Sequence, residues 1–223
     1  MVLRVASAAV FWLGASAALA QPAADPDIAR QEADAIIAYG NAADAFDNIT
    51  DSGAPAIRHR ASGLICRFSM DDSDHGVRLA HDPRRRTDTV TCQAHTREGW
   101  NVSVAATGFP FNPTLDDAYA SAGRGFRAQH RGAKPAMGAF PADAPAPLPT
   151  RVLRLEQAGD GRAVFARREA AVAGRWVLLV DVEGPAAEAS RIDKAAQDLA
   201  AAALKDAPRM ADAAPAKARP PGG

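Results

Sequence analysis

The sequence predicts an α+β domain, a mostly antiparallel sheet of six to seven strands with helices packed on its faces. Apolar residues alternate at strand spacing in sets within residues 56–107, and strand-like segments return over 150–182. Three other stretches, opening near Pro26, Pro113 and Pro185, repeat their apolar residues at helical spacing. The order is helix, three or four strands, helix, three strands, helix, which suits helices laid on an antiparallel sheet.

Ahead of that domain, Arg4 precedes a short apolar run from Val5 to Leu13, and Ala18-Leu19-Ala20 places small side chains before Gln21. This is the pattern of a secretory signal peptide over residues 1–20, with Gln21 expected at the mature N-terminus. The apolar run is shorter than the roughly 20 residues a membrane span needs. No other run approaches that length, so no transmembrane segment is expected in the mature chain.

Asp25-Pro26 opens the first helix, Asp25 as cap and Pro26 in the first turn. Ala29, Ala33, Ile36, Gly40 and Ala43 carry its period to about Phe46. Leu64, Cys66 and Phe68 then share a strand face, as do Val90, Cys92 and Ala94, and Trp100, Val102, Val104 and Ala106, with Asn101, Ser103 and Thr107 opposite. A weaker strand runs near Val77-Arg78-Leu79, between turns at Asp71–Gly76 and Asp82-Pro83. Thr114 caps the second helix, whose stripe is Leu115, Ala118, Tyr119, Ala122 and Phe126, ending near His130. Residues 132–149, rich in proline, form a crossing loop. Residues 150–157 and 162–170 flank the hairpin signal Gly159-Asp160-Gly161. Trp176-Val177-Leu178-Leu179-Val180 is apolar on both faces and so belongs in the middle of the sheet. Ala189, Ile192, Ala196, Leu199 and Ala203 give the buried face of the last helix. The single domain thus covers 21–207, and 208–223, made of alanine, proline and charge, is a disordered tail.

The chain carries 26 basic and 26 acidic residues, and this zero balance argues against a general nucleic-acid binder. Its two cysteines, Cys66 and Cys92, both fall on apolar strand faces. In an exported protein such a pair is expected as a disulfide, here across neighbouring strands.

Local motifs for chemistry are sparse. No serine lies in a Gly-x-Ser-x-Gly elbow. The cysteines and the histidines, His59 and His95 among them, have opposite strand parity, which disfavours a thiolate–imidazole pair. Asp71, Asp72, Asp74 and His75 crowd one turn but depart from the EF-hand pattern, so no metal is assigned. His59 and His95 are a second possible metal pair if they meet across strands. Gly123-Arg124-Gly125 lies inside a helical pattern and is no nucleotide loop, and no cofactor is expected. Asn48-Ile49-Thr50 and Asn101-Val102-Ser103 match the glycosylation sequon. Arg84-Arg85-Arg86 forms a charged turn. Arg124, Arg127, Arg131 and Lys134 gather where the second helix ends, a candidate anion-binding cluster that the helix dipole opposes.

Over residues 50–205 the order of elements resembles the PsbP-like α/β/α sandwich, a family of small exported or lumenal proteins. The resemblance implies that architecture and carries no functional residue onto this chain. The segment Ser62-Gly63-Leu64-Ile65-Cys66-Arg67-Phe68 is similar to one in exported bacterial proteins. The function expected is a non-enzymatic periplasmic or secreted protein that binds an envelope component or a protein partner. The alternatives are an envelope hydrolase with a site assembled from scattered residues, and a metal-binding protein using the Asp71–His75 turn.

Overall fold

A computed structural model describes residues 25–80, 88–142, 148–158 and 163–205. The expected signal peptide and tail, Arg84–Arg86, the hairpin signal Gly159-Asp160-Gly161 and residues 143–147 of the proline-rich segment lie outside the described residues.

The fold is α+β, with two antiparallel sheets and three α-helices among the described residues. Helix α1 (Pro26–Tyr39) starts as expected: Asp25 accepts a hydrogen bond from the Asp27 amide at 2.9 Å, with Pro26 in the first turn. It stops at Tyr39, short of the expected Phe46. Gly40 packs so closely on the large sheet that a Cβ there would lie 2.4 Å from Val77, and Asn41 turns the chain with φ +47°. Phe46 instead opens a three-stranded meander of β1 (Phe46–Asn48), β2 (Ala56–His59) and β3 (Ile65–Arg67). This second sheet is additional to the single sheet that the sequence predicts.

The large sheet contains β4 (Asp74–Leu79), β5 (Thr89–His95), β6 (Asn101–Gly108), β7 (Lys134–Pro135), β8 (Thr150–Gln157), β9 (Val164–Ala173) and β10 (Trp176–Pro185). Their order is β4-β5-β6-β10-β9-β8-β7, which puts the apolar Trp176–Val180 run in the middle, as expected. Asp74, His75 and Gly76 lie in β4 instead of a turn, because pairing with His95, Ala94 and Gln93 outweighs their local turn preference. Lys134 and Pro135, expected in a loop, add a short edge strand, where proline's missing donor is tolerated.

The inner face of the large sheet carries Val77, Val90, Cys92, Val104, Ala106, Trp176, Leu178 and Val180. It packs on helix α3 (Ala189–Lys205) through Ala200, Ala203 and Leu204, and on the meander and α1 through Phe46, Ile57, Leu64, Ile36 and Ile37. The Cys66–Cys92 disulfide is present, with Cα atoms 6.2 Å apart. It joins β3 to β5 and so ties one sheet to the other, whereas the strand pattern suggests neighbouring strands of one sheet. No helix among the described residues is long and apolar enough to cross a membrane.

On the outer face, helix α2 (Leu115–Gln129) covers mainly β8 and β9, packing Phe126 on Leu153, Leu155 and Ala166. Its cap is the expected one, with Thr114 Oγ1 accepting from the Asp117 amide at 3.1 Å. Among the described residues no helix covers the outer face of β4, β5 and β6, and this is where the fold offers a site.

His59 has a measurable consequence for stability. It is fully buried, 5.2 Å from the ring of Phe46 and edge-on to Trp176. Its Nδ1 accepts from the Ser62 amide at 3.2 Å and lies 2.8 Å from Ser62 Oγ, which itself accepts from the Leu64 amide. Nε2 therefore carries the proton, and among the described residues nothing accepts from it. Burial, partly opposed by the Asp88 charge, pushes the pKa from 6.5 down to about 4. Between those values the unfolded chain binds the proton and the folded protein does not. Stability should thus be intact above pH 6.5 and fall as the pH drops toward 4, by at most about 1.4 kcal/mol per pH unit from this group. Urea midpoints measured across this range check it, with His59→Gln expected to flatten the slope.

Candidate functional site

The register of the large sheet assembles a row of polar side chains from four strands. Asp74 on β4 faces His95 on β5, His95 faces Asn101 on β6, and Asn101 faces Glu183 on β10. A second row runs Gly76, Gln93, Ser103, Asp181 and, on β9, Arg168. Strand alternation sends Val77, Cys92, Val104 and Val180 inward and these residues outward.

The first row is joined by hydrogen bonds whose direction can be derived. A carboxylate only accepts, so Asn101 Nδ2 donates to Glu183 Oε1 at 2.7 Å. Asn101 Oδ1 then accepts from His95 Nδ1 at 3.0 Å, which leaves His95 Nε2 with an exposed lone pair when the ring is neutral. Glu183 Oε2 faces His130 Nε2 at 3.6 Å, too long for a hydrogen bond.

In the second row, Arg168 donates to both oxygens of Asp181, at 2.7 and 2.6 Å, and to the Ala122 carbonyl of α2 at 2.8 Å. Its guanidinium lies 4.4 Å from the centre of the Phe126 ring. This arginine neutralises Asp181 and anchors α2, whose last turn and C-cap bring Gln129 and His130 to the edge of the open face. The result is a groove of about 540 Å³ lined by Arg78, Gln93, His95, Ser103, Gln129 and Glu183, among others. A second hollow of about 590 Å³, toward Gly99 and Pro185, shares Asn101, His130 and Glu183 with it.

Among the described residues that the sequence singles out, His95 and Asp74 reach this groove, as do Asn101 and Ser103 of the second sequon. Arg124, Arg127, Arg131 and Lys134 are all exposed, on α2, the turn after it and β7, and none lines the groove. His59 lies in the core beyond the inner face, so it does not meet His95 on the outer face. Around Asp71–His75, Asp72 accepts from the Ser69 amide and His75 pairs with Glu32 at 2.8 Å, while Asp74 lines the groove. Among the described residues no three His, Cys, Asp or Glu side chains are grouped to hold a metal. Gly123 and Gly125 are within α2, as the helical pattern requires.

Strand alternation puts Asn101 and Ser103 on a polar face but does not by itself identify Asp181, Glu183, Gln129 and His130 as members of a site. The signal for two of them is present: after the apolar run ending at Val180, polar residues return at 181 and 183, the alternate positions that face outward.

No protein-family model matches the chain, and no curated protein matches it.

Proposed function

We propose that this is a non-enzymatic exported binding protein whose ligand sits in the groove on the open half of the large sheet. The observation that carries this reading is the polar row His95–Asn101–Glu183, held in fixed orientation by its own hydrogen bonds and left open to solvent where α2 stops short. Preorganised polar groups on a rigid sheet recognise a ligand without having to order themselves on binding. Export is supported by the signal-like leader and by a disulfide suited to an oxidising compartment.

A binding role fits better than hydrolysis. The close hydroxyl–imidazole pair, Ser62 with His59, is fully buried and beyond the reach of substrate. In the groove, His95 Nδ1 is held by Asn101 and no hydroxyl or thiol among the described residues is hydrogen-bonded to its Nε2, so the row holds no activated nucleophile.

The test is an amide-shift titration of the mature protein with the low-molecular-mass fraction of an envelope extract. Shifts should centre on Gln93, His95, Asn101, Ser103 and Gln129, and Asn101→Leu should abolish them without changing the thermal midpoint by more than a few degrees. Shifts centred on Arg124, Arg127, Arg131 and Lys134, and lost in an Arg127→Ala/Arg131→Ala double variant, would move the site to the basic cluster. Absence of any extract-induced shift refutes the groove as a binding site.

A further inference from the structure

The two ends of the groove differ in charge. At the end next to α2, Glu183 Oε2 has no donor within hydrogen-bond distance among the described residues, and His95 Nε2 presents a lone pair. The C-terminus of α2 points the negative end of its dipole at the same place, through Gln129 and His130. The dipole that opposes an anion at the helix-end arginines therefore favours a cation here. Asp181 adds no net charge, because Arg168 neutralises it.

At the opposite corner stands Arg78 on β4, which lines the groove and makes no ion pair among the described residues. Four residues along β4 separate it from the first row, about 13 Å, and three strand spacings separate β4 from β10, about 14 Å. The diagonal from Arg78 to Glu183 is about 20 Å between backbones on those spacings, less the reach of the two side chains. Gln93 and Ser103 stand on the strands between them and Gln129 lines the groove from α2; the side chains of all three make no hydrogen bonds to other described groups. Each of the three offers both a donor and an acceptor, as a row of peptide groups requires.

From this arrangement we infer that the groove takes a short extended peptide with free ends, its ammonium group on Glu183 and its carboxylate on Arg78. The span suits about four to six residues at 3.3–3.6 Å each. A single amino acid is too short to reach both charges. A neutral sugar would leave Arg78 without a counter-charge among the described residues and Glu183 with His130 alone, at 3.6 Å. The inference rests on the groove being the binding site and adds the chemistry of what fills it.

Penta-alanine with free termini is the probe, used on the mature full-length protein and followed by amide shifts. It should perturb Arg78, Gln93, His95, Asn101 and Glu183. Acetylating its amine or amidating its carboxylate should each weaken binding by about tenfold or more, the worth of a charge-assisted hydrogen bond. Glu183→Gln, which still accepts from Asn101, should make the free and acetylated probes equal. Arg78→Gln should do the same for the free and amidated probes. Equal affinity of free and capped peptide overturns the inference, as does a groove that responds to maltopentaose and not to peptide. If the envelope extract perturbs the groove while no peptide does, the peptide is wrong and the binding site stands. If neither does, both fail.

Discussion

Asp193→Ala is expected to lower the unfolding free energy by about 3–5 kcal/mol, the range for breaking one member of a buried ion pair. Asp193 is on α3 and has no solvent exposure, nor has Arg167 on β9. The carboxylate accepts from Arg154 Nε at 2.6 Å and Gln197 Nε2 at 3.0 Å, and it lies 3.0 Å from Arg167 Nε. Arg167 also pairs with Glu169 at 2.7 Å, so two guanidinium groups balance two carboxylates between helix and sheet. Truncating Asp193 removes the acceptor shared by Arg154 and Arg167, and Arg167 has no solvent exposure. Replacing the whole cluster with apolar residues, Arg154→Met, Arg167→Met, Glu169→Leu and Asp193→Leu, leaves none of these charges behind and should restore most of the loss, since apolar replacements of buried pairs and triads are often neutral. Urea denaturation of wild type, the single variant and the four-fold variant measures this. A loss under about 1 kcal/mol for Asp193→Ala would mean that water reaches the cluster, because exposed pairs contribute that little.

This cluster also shows where reading the sequence stops. Asp193 follows Ile192 inside the buried arc of α3, and a charge beside an alanine stripe reads as solvent-facing. Only Arg154 and Arg167, on strands far away in the chain, make it an interior residue. The groove has the same origin. Alternation alone puts Asn101 and Ser103 on the outward side of their strand and the cysteines on the inward side, because strand parity is local. That His95 meets Asn101 depends on one hairpin register, and that Asn101 meets Glu183 depends on β10 entering between β6 and β9, a non-local pairing. Helix starts are legible because Asp25 and Thr114 act within their own first turn. The end of α1 is not, since Gly40 stops it through contact with Val77 on a strand that comes later in the chain.

The other large effect is expected from the disulfide. Replacing Cys66 and Cys92 together with alanine should cost about 3–4 kcal/mol on the chain-entropy account, given the loop their pairing closes. The two half-cystines are separated by 26 positions in sequence and are almost fully buried in the main core. Their bond is a covalent link between the meander and the large sheet, which otherwise meet through side-chain packing around Phe46, His59 and Trp176. The loss should therefore be uneven. Amide hydrogen exchange should accelerate first in β1, β2 and β3, whose few strand hydrogen bonds close a small sheet, while β6, β9 and β10 keep protection close to the global value. Adding reductant to wild type should reproduce the shift in denaturant midpoint, and adding it to the double variant should do nothing. Two readily alkylated thiols in protein freshly prepared from the envelope would sink the prediction. So would a double variant with the wild-type midpoint, because packing alone would then hold the two sheets together.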